Sequence, residues 1–343
     1  MSFPFDGKSI FISGGCGSLG SSILARLLKT GARRIVIFDN DESKLAELGR
    51  RVADSRVRYF VGDVRDLSRL TRALEGCQVA FHCAALKIIP ICEYNPTEPI
   101  KTNILGSQNF IEACLDTVPD IAVGVSTDKA CSPLNLYGAT KLCMERLFIA
   151  TNRMKGDRKT IFTCVRYGNV LGSAESVIPV WIEQAATQGK ITITDPDMTR
   201  FSITMEQAID FIFTSMNHAE GSEIFIPKLR SYAVRDLAAA FLGSNPRGIG
   251  MELIGTRIGE KDHEVLINEH EMSYVLELPF GYVIRTPDGT RLDATKPFTL
   301  SGLSSYSSET AARLTVTELS ALLKKEGLTL NELESLGRAE TST

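Results

Sequence analysis

The run SIFISGGCGSLG at residues 9–20 constrains this chain more than any other stretch, because an apolar strand pattern feeds directly into a turn with glycine at 14, 17 and 20. The periodicity from about residue 18 to 30 predicts a helix leaving that turn. Gly14 suits a tight turn, Gly17 leaves room for a pyrophosphate against the backbone, and Gly20 permits close packing of helix on sheet. The helix start, at Ser18 and Leu19, offers backbone N–H groups to a phosphate. The competing explanation is a tight strand-to-helix turn with no ligand.

RIVIFDND at 34–41 predicts a second strand, and Asp39 stands at its end, 19 residues past Gly20. A carboxylate at that place accepts hydrogen bonds from an adenosine ribose. It repels a 2′-phosphate, and Asn40 brings no positive charge, so NAD is expected, with NADP as the alternative. In VGDVRD, Asp63 suits either an adenine amine or a helix N-cap, with Val64 beside it. Ala84 and Ala85 follow QVAFHC at the corresponding end of a later strand.

RVRYFVGDVRD, QVAFHCAA and DIAVGVSTD repeat the strand form, separated by helical stretches such as LSRLTRALEG and NILGSQNFIEACLD. Short apolar strands alternating with helices predict an α/β fold, a Rossmann-like doubly wound parallel sheet covered on both faces. After about residue 170 the regularity weakens. SVIPVWIEQAATQG and MEQAIDFIFTSMNH predict helices, IFIPKLRSYAVRDLAAAFLG a short strand feeding a helix, and RLTVTELSALLKKEGLTLNELESLG one or two small helices. The region 271–310 reads only as rich in Gly, Pro, Ser and Thr. A dinucleotide-binding and catalytic domain over 1–170 is expected, with 171–343 forming a smaller substrate lobe from which some segments return to the first domain.

With 38 Lys+Arg against 41 Asp+Glu, the 343 residues carry a net charge of only −3, which calls for neither a nucleic-acid nor a membrane partner. FTCVRYGNV mixes basic and aromatic residues but is too brief for a stacking surface. Eight cysteines without a close CxxC pair and four histidines without HExxH predict idle thiols in a reducing compartment and no metal. The opening MSFPFDGKSIF lacks the marks of a secretion signal, and no 18-residue apolar run occurs, so a cytoplasmic location is expected.

STDKACSPLNLYGATK at 126–141 carries the chemistry. Thr127, Asp128 and Lys129 leave the carboxyl end of a predicted strand, on the side of the glycine turn. Tyr137 and Lys141 are four apart and share a helix face. A nearby ammonium and a nicotinamide cation favour phenolate, so the Tyr137 pKa is expected to fall toward that of a base, with Thr127 holding an alcohol oxygen.

These motifs together resemble the extended short-chain dehydrogenase/reductase family over nearly the full chain. The closer resemblance is to inverting UDP-N-acetylglucosamine 4,6-dehydratases of the pseudaminic acid type. It rests on SGGCGSLG, VGDVRD, CAALKIIPICEYNPTEPIKTNILGSQN, STDKACSPLNLYGATK, RYGNVLGS, ITDPDMTRF and RIGEKDHE. The resemblance implies that Tyr137 takes the C4 hydroxyl proton during oxidation, Lys129 takes the C5 proton, and Asp128 protonates the departing C6 hydroxyl. Lys129 must then be neutral at its step. Arg200 and Arg257 suit a diphosphate or else a salt bridge, and the resemblance gives Glu264 the uridine ribose. Asn169 suits a diphosphate or cofactor-adjacent oxygen, or else a backbone role, and Lys87 the substrate or packing. A homo-oligomer, dimer or higher, is expected.

Two departures from the pattern of the close relatives stand out: Asp39 and Asn40 replace a serine and arginine suited to NADP, and Ala174 and Glu175 replace an arginine and glycine. A nucleotide-sugar 4-epimerase and a non-catalytic NAD-binding regulator are the alternatives.

Overall fold

The computed structural model describes residues 3–173, 176–243, 248–285 and 304–330. Ala174 and Glu175 lie outside them, as does the stretch from residue 331 on that was read as part of a second small helix. Two compact units divide the chain: Met1–Tyr167, Glu206–Lys228 and Leu266–Ser305 form the first, and Gly168–Met205, Leu229–Val265 and Tyr306–Thr343 the second.

The first unit is built on a nine-stranded sheet among the described residues. Its strands β1 (Ser9–Ser13), β2 (Arg34–Asp39), β3 (Val57–Val61), β4 (Val79–His82), β5 (Ile121–Val125) and β6 (Ile161–Val165) run parallel in the order β3-β2-β1-β4-β5-β6. Every residue of β1 and β4 is buried, as a sheet covered on both faces requires. Strand order reverses between β1 and β4, and the crevice outside the carboxyl ends at such a point is where doubly wound folds bind ligands. The connecting helices are α1 (Ser18–Leu27), α2 (Glu42–Arg51), α3 (Leu67–Leu74), α4 (Ile89–Tyr94), α5 (Thr97–Pro99), α6 (Gly106–Thr117) and α7 (Leu136–Met154). A π-helical turn, Ile100–Leu105, joins α5 to α6.

Beyond β6 the sheet continues through Glu223–Pro227, parallel to β6, and then through Gly281–Arg285 and Val275–Leu278, both antiparallel additions. Composition gave no strand in 271–310. These two form because Val275, Val283 and Ile284 bury their side chains while the backbone completes the ladder beside Glu223–Pro227. The single strand expected in IFIPKLRSYA is in fact two. Glu223–Pro227 belongs to the first unit, whereas Arg230–Ala233 pairs antiparallel with Thr199–Ile203 in the second.

In the second unit, Thr199–Ile203 also pairs with the short strand Asn169–Val170, and Lys190–Ile193 pairs with Gly250–Leu253. Helices Val177–Gln188, Val234–Leu242 and Val316–Lys325 pack a core around Trp181, Leu237, Phe241, Leu319 and Leu323. Trp181 satisfies its indole N–H on Thr192 O at 2.7 Å. Thr315 and Glu318 close a capping box on the last of these helices.

Candidate functional site

Gly14 follows β1 with φ +63°, and a Cβ there would lie 2.7 Å from Ala84 N, so the turn rests on the segment leaving β4. Gly17 is the N-cap of α1, exposed and contributing no side chain to the first amides of the helix. Those amides, at Ser18, Leu19 and Gly20, are oriented as a phosphate requires. Glycine at 14 lets the turn seat against Ala84, and glycine at 17 keeps a side chain off the first helix amides, so the residues present fit a dinucleotide.

Asp39 Oδ2 accepts Cys16 N at 2.9 Å and Oδ1 accepts Asp41 N at 3.1 Å. Each oxygen keeps a further lone pair for a ribose hydroxyl. Asn40 is exposed beside it. Burial, then the charges of Asp39 and Asp41, push the Cys16 thiol up to about 12. Asp63 accepts Arg65 N at 2.9 Å, but the N-cap of α3 is Asp66, which accepts Arg69 N at 3.0 Å. Val64 is buried, its carbonyl held by Asn109 Nδ2 at 3.1 Å. Ala84 and Ala85 are half-buried just past β4, and Lys87 is exposed.

Thr127 caps a single 3₁₀ turn, Asp128–Ala130, between β5 and α7. Its Oγ1 donates to Asp128 Oδ1 at 2.9 Å, and the same oxygen accepts Lys129 Nζ at 3.0 Å. Asp128 is 1 % exposed, and its N–H donates to Tyr167 O at 3.0 Å. Gly138 lets α7 close on this turn, since a Cβ there would overlap the Lys129 carbonyl. Asn135 caps α7 by accepting Gly138 N at 2.8 Å. The Tyr137 phenol, one residue earlier, is hydrogen-bonded to the Thr127 hydroxyl.

The expected fall in the Tyr137 pKa is corrected for the chain by itself. Burial pushes the phenol up to about 12, outweighing Lys129 and the Thr127 hydrogen bond, which lower it; Asp128 adds to the rise. The ammonium acting on the phenol is therefore that of Lys129. Lys141 is 3 % exposed, with Nζ 3.0 Å from Met144 Sδ. Burial brings it down to about 8 against the opposing pull of Cys164, Cys83 and Glu145.

Two buried residues at this end of the sheet escaped the sequence reading. Asn103, in the π-helical turn, accepts Leu86 N and donates to Leu86 O, both at 2.8 Å, and donates to Thr140 Oγ1 at 2.9 Å. It thereby fixes the strand exit after Ala85 to α7. His82 bridges Ser13 and Ser107, at 2.9 Å each, and Ser107 donates to Asn103 O at 2.6 Å. Ser107 has one proton and spends it on that carbonyl, so His82 donates through Nε2 and accepts Ser13 through Nδ1. Burial, then Lys141, push this imidazole down to about 3, so it stays neutral. An asparagine and a histidine inside apolar runs were the available signals.

The remaining predicted residues lie in the second unit. Asn169 begins its short strand, with Oδ1 buried and without a hydrogen-bond partner among the described residues. Arg200 is 7 % exposed and already engaged, donating to Thr199 O at 2.8 Å, Asp262 O at 3.1 Å and Glu260 Oε1 at 3.1 Å. Its salt-bridge alternative is thus realised in the chain alone. Arg257 is exposed, and Glu264 is buried with its N–H on Ser308 Oγ at 2.9 Å.

Residues 10–286 match the family model described as polysaccharide biosynthesis protein. The chain belongs to that family. Within it, the chain is 41 % identical to the UDP-N-acetylglucosamine 4,6-dehydratase (inverting) of Campylobacter jejuni subsp. jejuni serotype O:23/36, over 87 % of this chain and 89 % of that protein. It is 36 % identical to a UDP-glucose 4-epimerase of Rickettsia conorii, over 93 % of this chain and 96 % of that protein. The structure of Pen from Bacillus thuringiensis superposes with a TM-score of 0.87 at 35 % identity, covering 94 % of this chain and 98 % of that chain. This polysaccharide biosynthesis protein is an extended short-chain dehydrogenase/reductase-like enzyme, and its doubly wound sheet is the one expected from the sequence. No helix among the described residues is long and apolar enough to cross a membrane.

Proposed function

We propose that this protein is an NAD-dependent nucleotide-sugar 4,6-dehydratase that acts on UDP-N-acetylglucosamine and inverts C5. The observation that carries this reading is the Asp128–Lys129 pair, hydrogen-bonded within the same turn to the Thr127 hydroxyl that holds Tyr137. An epimerase needs a base at C4, but it has no use for a second acid and base. The inverting dehydratase of Campylobacter jejuni supports the choice by identity and coverage.

Bound NAD supplies the hydride acceptor for C4 and later the donor for C6. Tyr137 takes the C4 hydroxyl proton, and Lys129 is the cation in the chain that favours its phenolate. The C4 ketone acidifies C5–H. An ammonium cannot take that proton, but the Asp128–Lys129 ion pair contains its own remedy. Moving one proton along the 3.0 Å hydrogen bond from Nζ to Oδ1 turns ammonium and carboxylate into amine and carboxylic acid together. Burial of Asp128 narrows the gap between these forms, because low polarity disfavours separated charge. Lys129 then takes the C5 proton, Asp128 gives its proton to the C6 oxygen as the C–O bond breaks, and the pair is again an ion pair. Reprotonation of C5 on the opposite face by a solvent proton completes inversion, the proton that Tyr137 took from the C4 hydroxyl returning to solvent.

Asp39 and the α1 amides bind the dinucleotide in this reading, and Asn169, Arg200, Arg257 and Glu264 the nucleotide sugar, the second unit being its substrate lobe. Incubation with UDP-N-acetylglucosamine followed by mass spectrometry and NMR tests it. Loss of one water with inversion at C5 supports it, whereas an isomer of unchanged mass establishes the 4-epimerase reading that the Rickettsia relatives favour. An unaltered sugar with bound NAD overturns UDP-N-acetylglucosamine as the substrate and leaves another nucleotide sugar or the regulator.

A further inference from the structure

Arg166 follows β6 directly and is fully buried. Its guanidinium holds two carboxylates from distant parts of the chain. Nε and Nη2 donate to Glu145 of α7 at 2.9 and 2.7 Å, while Nη1 and Nη2 donate to Glu271 at 2.9 and 2.8 Å. Nη1 also donates to Leu266 O at 2.9 Å. Each carboxylate takes one further side-chain donor, and these two donors bracket the reacting segment. Ser126 Oγ donates to Glu145 Oε1 at 2.6 Å, immediately before Thr127. Cys131 Sγ donates to Glu271 Oε2 at 3.4 Å, immediately after Ala130.

We propose that the Glu145–Arg166–Glu271 cluster is a positioning device for Thr127, Asp128 and Lys129, acting through Ser126 at one end of their segment and Cys131 at the other. The segment needs such support. Among the described residues its own backbone contributes the bonds of one 3₁₀ turn, Ala130 N to Thr127 O and Cys131 N to Asp128 O, both 3.1 Å. The adjoining contact, Asp128 N to Tyr167 O, is made by the residue after Arg166, so the cluster sets both sides of the turn. Apolar packing resists compression but allows sliding; a hydrogen bond to a carboxylate fixed by a five-donor guanidinium does not. Misplacement by about 1 Å costs a reacting group on the order of a hundredfold in rate. Arg166, Glu145, Glu271, Ser126 and Cys131 touch no reacting atom and act through the turn.

This inference rests on the reading of Asp128 and Lys129 as the eliminating pair. The test cuts the two tethers while leaving the cluster intact, with Ser126→Ala, Cys131→Ala and the double variant, and Cys131→Ser as the conservative control. Dehydration kcat is expected to fall about tenfold in each single variant and further in the double, with KM and NAD affinity within about twofold and Cys131→Ser close to native. Native-state hydrogen exchange at the Asp128 and Cys131 amides is expected to quicken about tenfold in the alanine variants. If Ser126→Ala fails to fold, the Cys131→Ala and Cys131→Ser comparison decides alone. Unchanged kcat together with unchanged exchange overturns the proposal, as does a loss confined to KM. Quickened exchange in a protein that epimerises rather than dehydrates supports the positioning role while faulting the dehydratase reading, so the two failures are distinct.

Discussion

Lys129 Nζ stands 3.0 Å from Asp128 Oδ1, a cation against a carboxylate that keeps 1 % of its surface. Neighbours in sequence seldom pair this way on a surface, where such contacts contribute little. Here the 3₁₀ turn holds both at the carboxyl end of the sheet, and in the proposed reading the pair separates the steps of the reaction. Lys129→Gln and Asp128→Asn are expected to retain C4 oxidation while product formation falls by about a hundredfold or more, the contribution of a positioned acid or base. Rapid-mixing absorbance of reduced nicotinamide and deuterium incorporation at C5 read the two steps. C5 exchange persisting at the native rate in Lys129→Gln would remove lysine from the base role.

In the proposed reading, Asp39 decides between NAD and NADP. Its two oxygens already fix the Cys16 and Asp41 amides, so the carboxylate has one orientation in which to meet a ribose. Asp39→Ala is expected to weaken NAD binding about tenfold to a hundredfold, the worth of one or two charge-assisted hydrogen bonds. Asp39→Ala combined with Asn40→Arg is expected to favour NADP. Calorimetric titration with each dinucleotide measures both, and an unchanged NAD affinity in Asp39→Ala would place the ribose elsewhere.

The glycine turn, the parallel strands and the STDK…YGATK segment were legible because each is written in contiguous residues with a period or spacing of its own. What stayed hidden was written across distance. The two antiparallel strands at 275–285 have short, half-buried patterns that acquire meaning only beside Glu223–Pro227. Arg166 looked like part of RYGNV, since its carboxylate partners lie 21 and 105 residues away. For the Tyr137 pKa of the nucleotide-free chain the reason is related: the cations are visible in sequence, but the burial that opposes them is not.

Arg166 also bears on stability. Burial raises the Glu271 carboxyl, but the Arg166 bonds outweigh it and hold the group below the usual range; the same carboxylates hold Arg166 protonated against burial. Arg166→Met strands two carboxylates in a dry interior and is expected to cost about 3–5 kcal/mol of unfolding free energy, read from denaturant midpoints. The Glu271 contribution is present above its unfolded pKa and lost as pH falls through the depressed folded value, so the native protein should lose more stability than Arg166→Met on acidification below the ordinary carboxylate range. Equal acid sensitivity in the two proteins would show that the pairing carries no net charge stabilisation.

In the proposed reading, Lys141 sets function against stability. Its folded pKa of about 8 lies below the ordinary 10.5, so between those values the unfolded chain binds a proton that the folded one does not. Unfolding free energy therefore rises with pH across that window. Below it, the buried ammonium costs about 3 kcal/mol at 1.36 kcal/mol per pKa unit. Lys141→Met keeps the length and apolar stem beside Met144 and removes the charge. In nucleotide-free protein it is expected to stabilise by about 1–3 kcal/mol at neutral pH, to abolish the rise between pH 8 and 10.5, and to lose most turnover. Denaturation at pH 7 and at pH 10, with turnover measured on the same samples, tests all three. A destabilised variant with the native pH slope would mean that Lys141 is held by favourable contacts rather than tolerated for the chemistry.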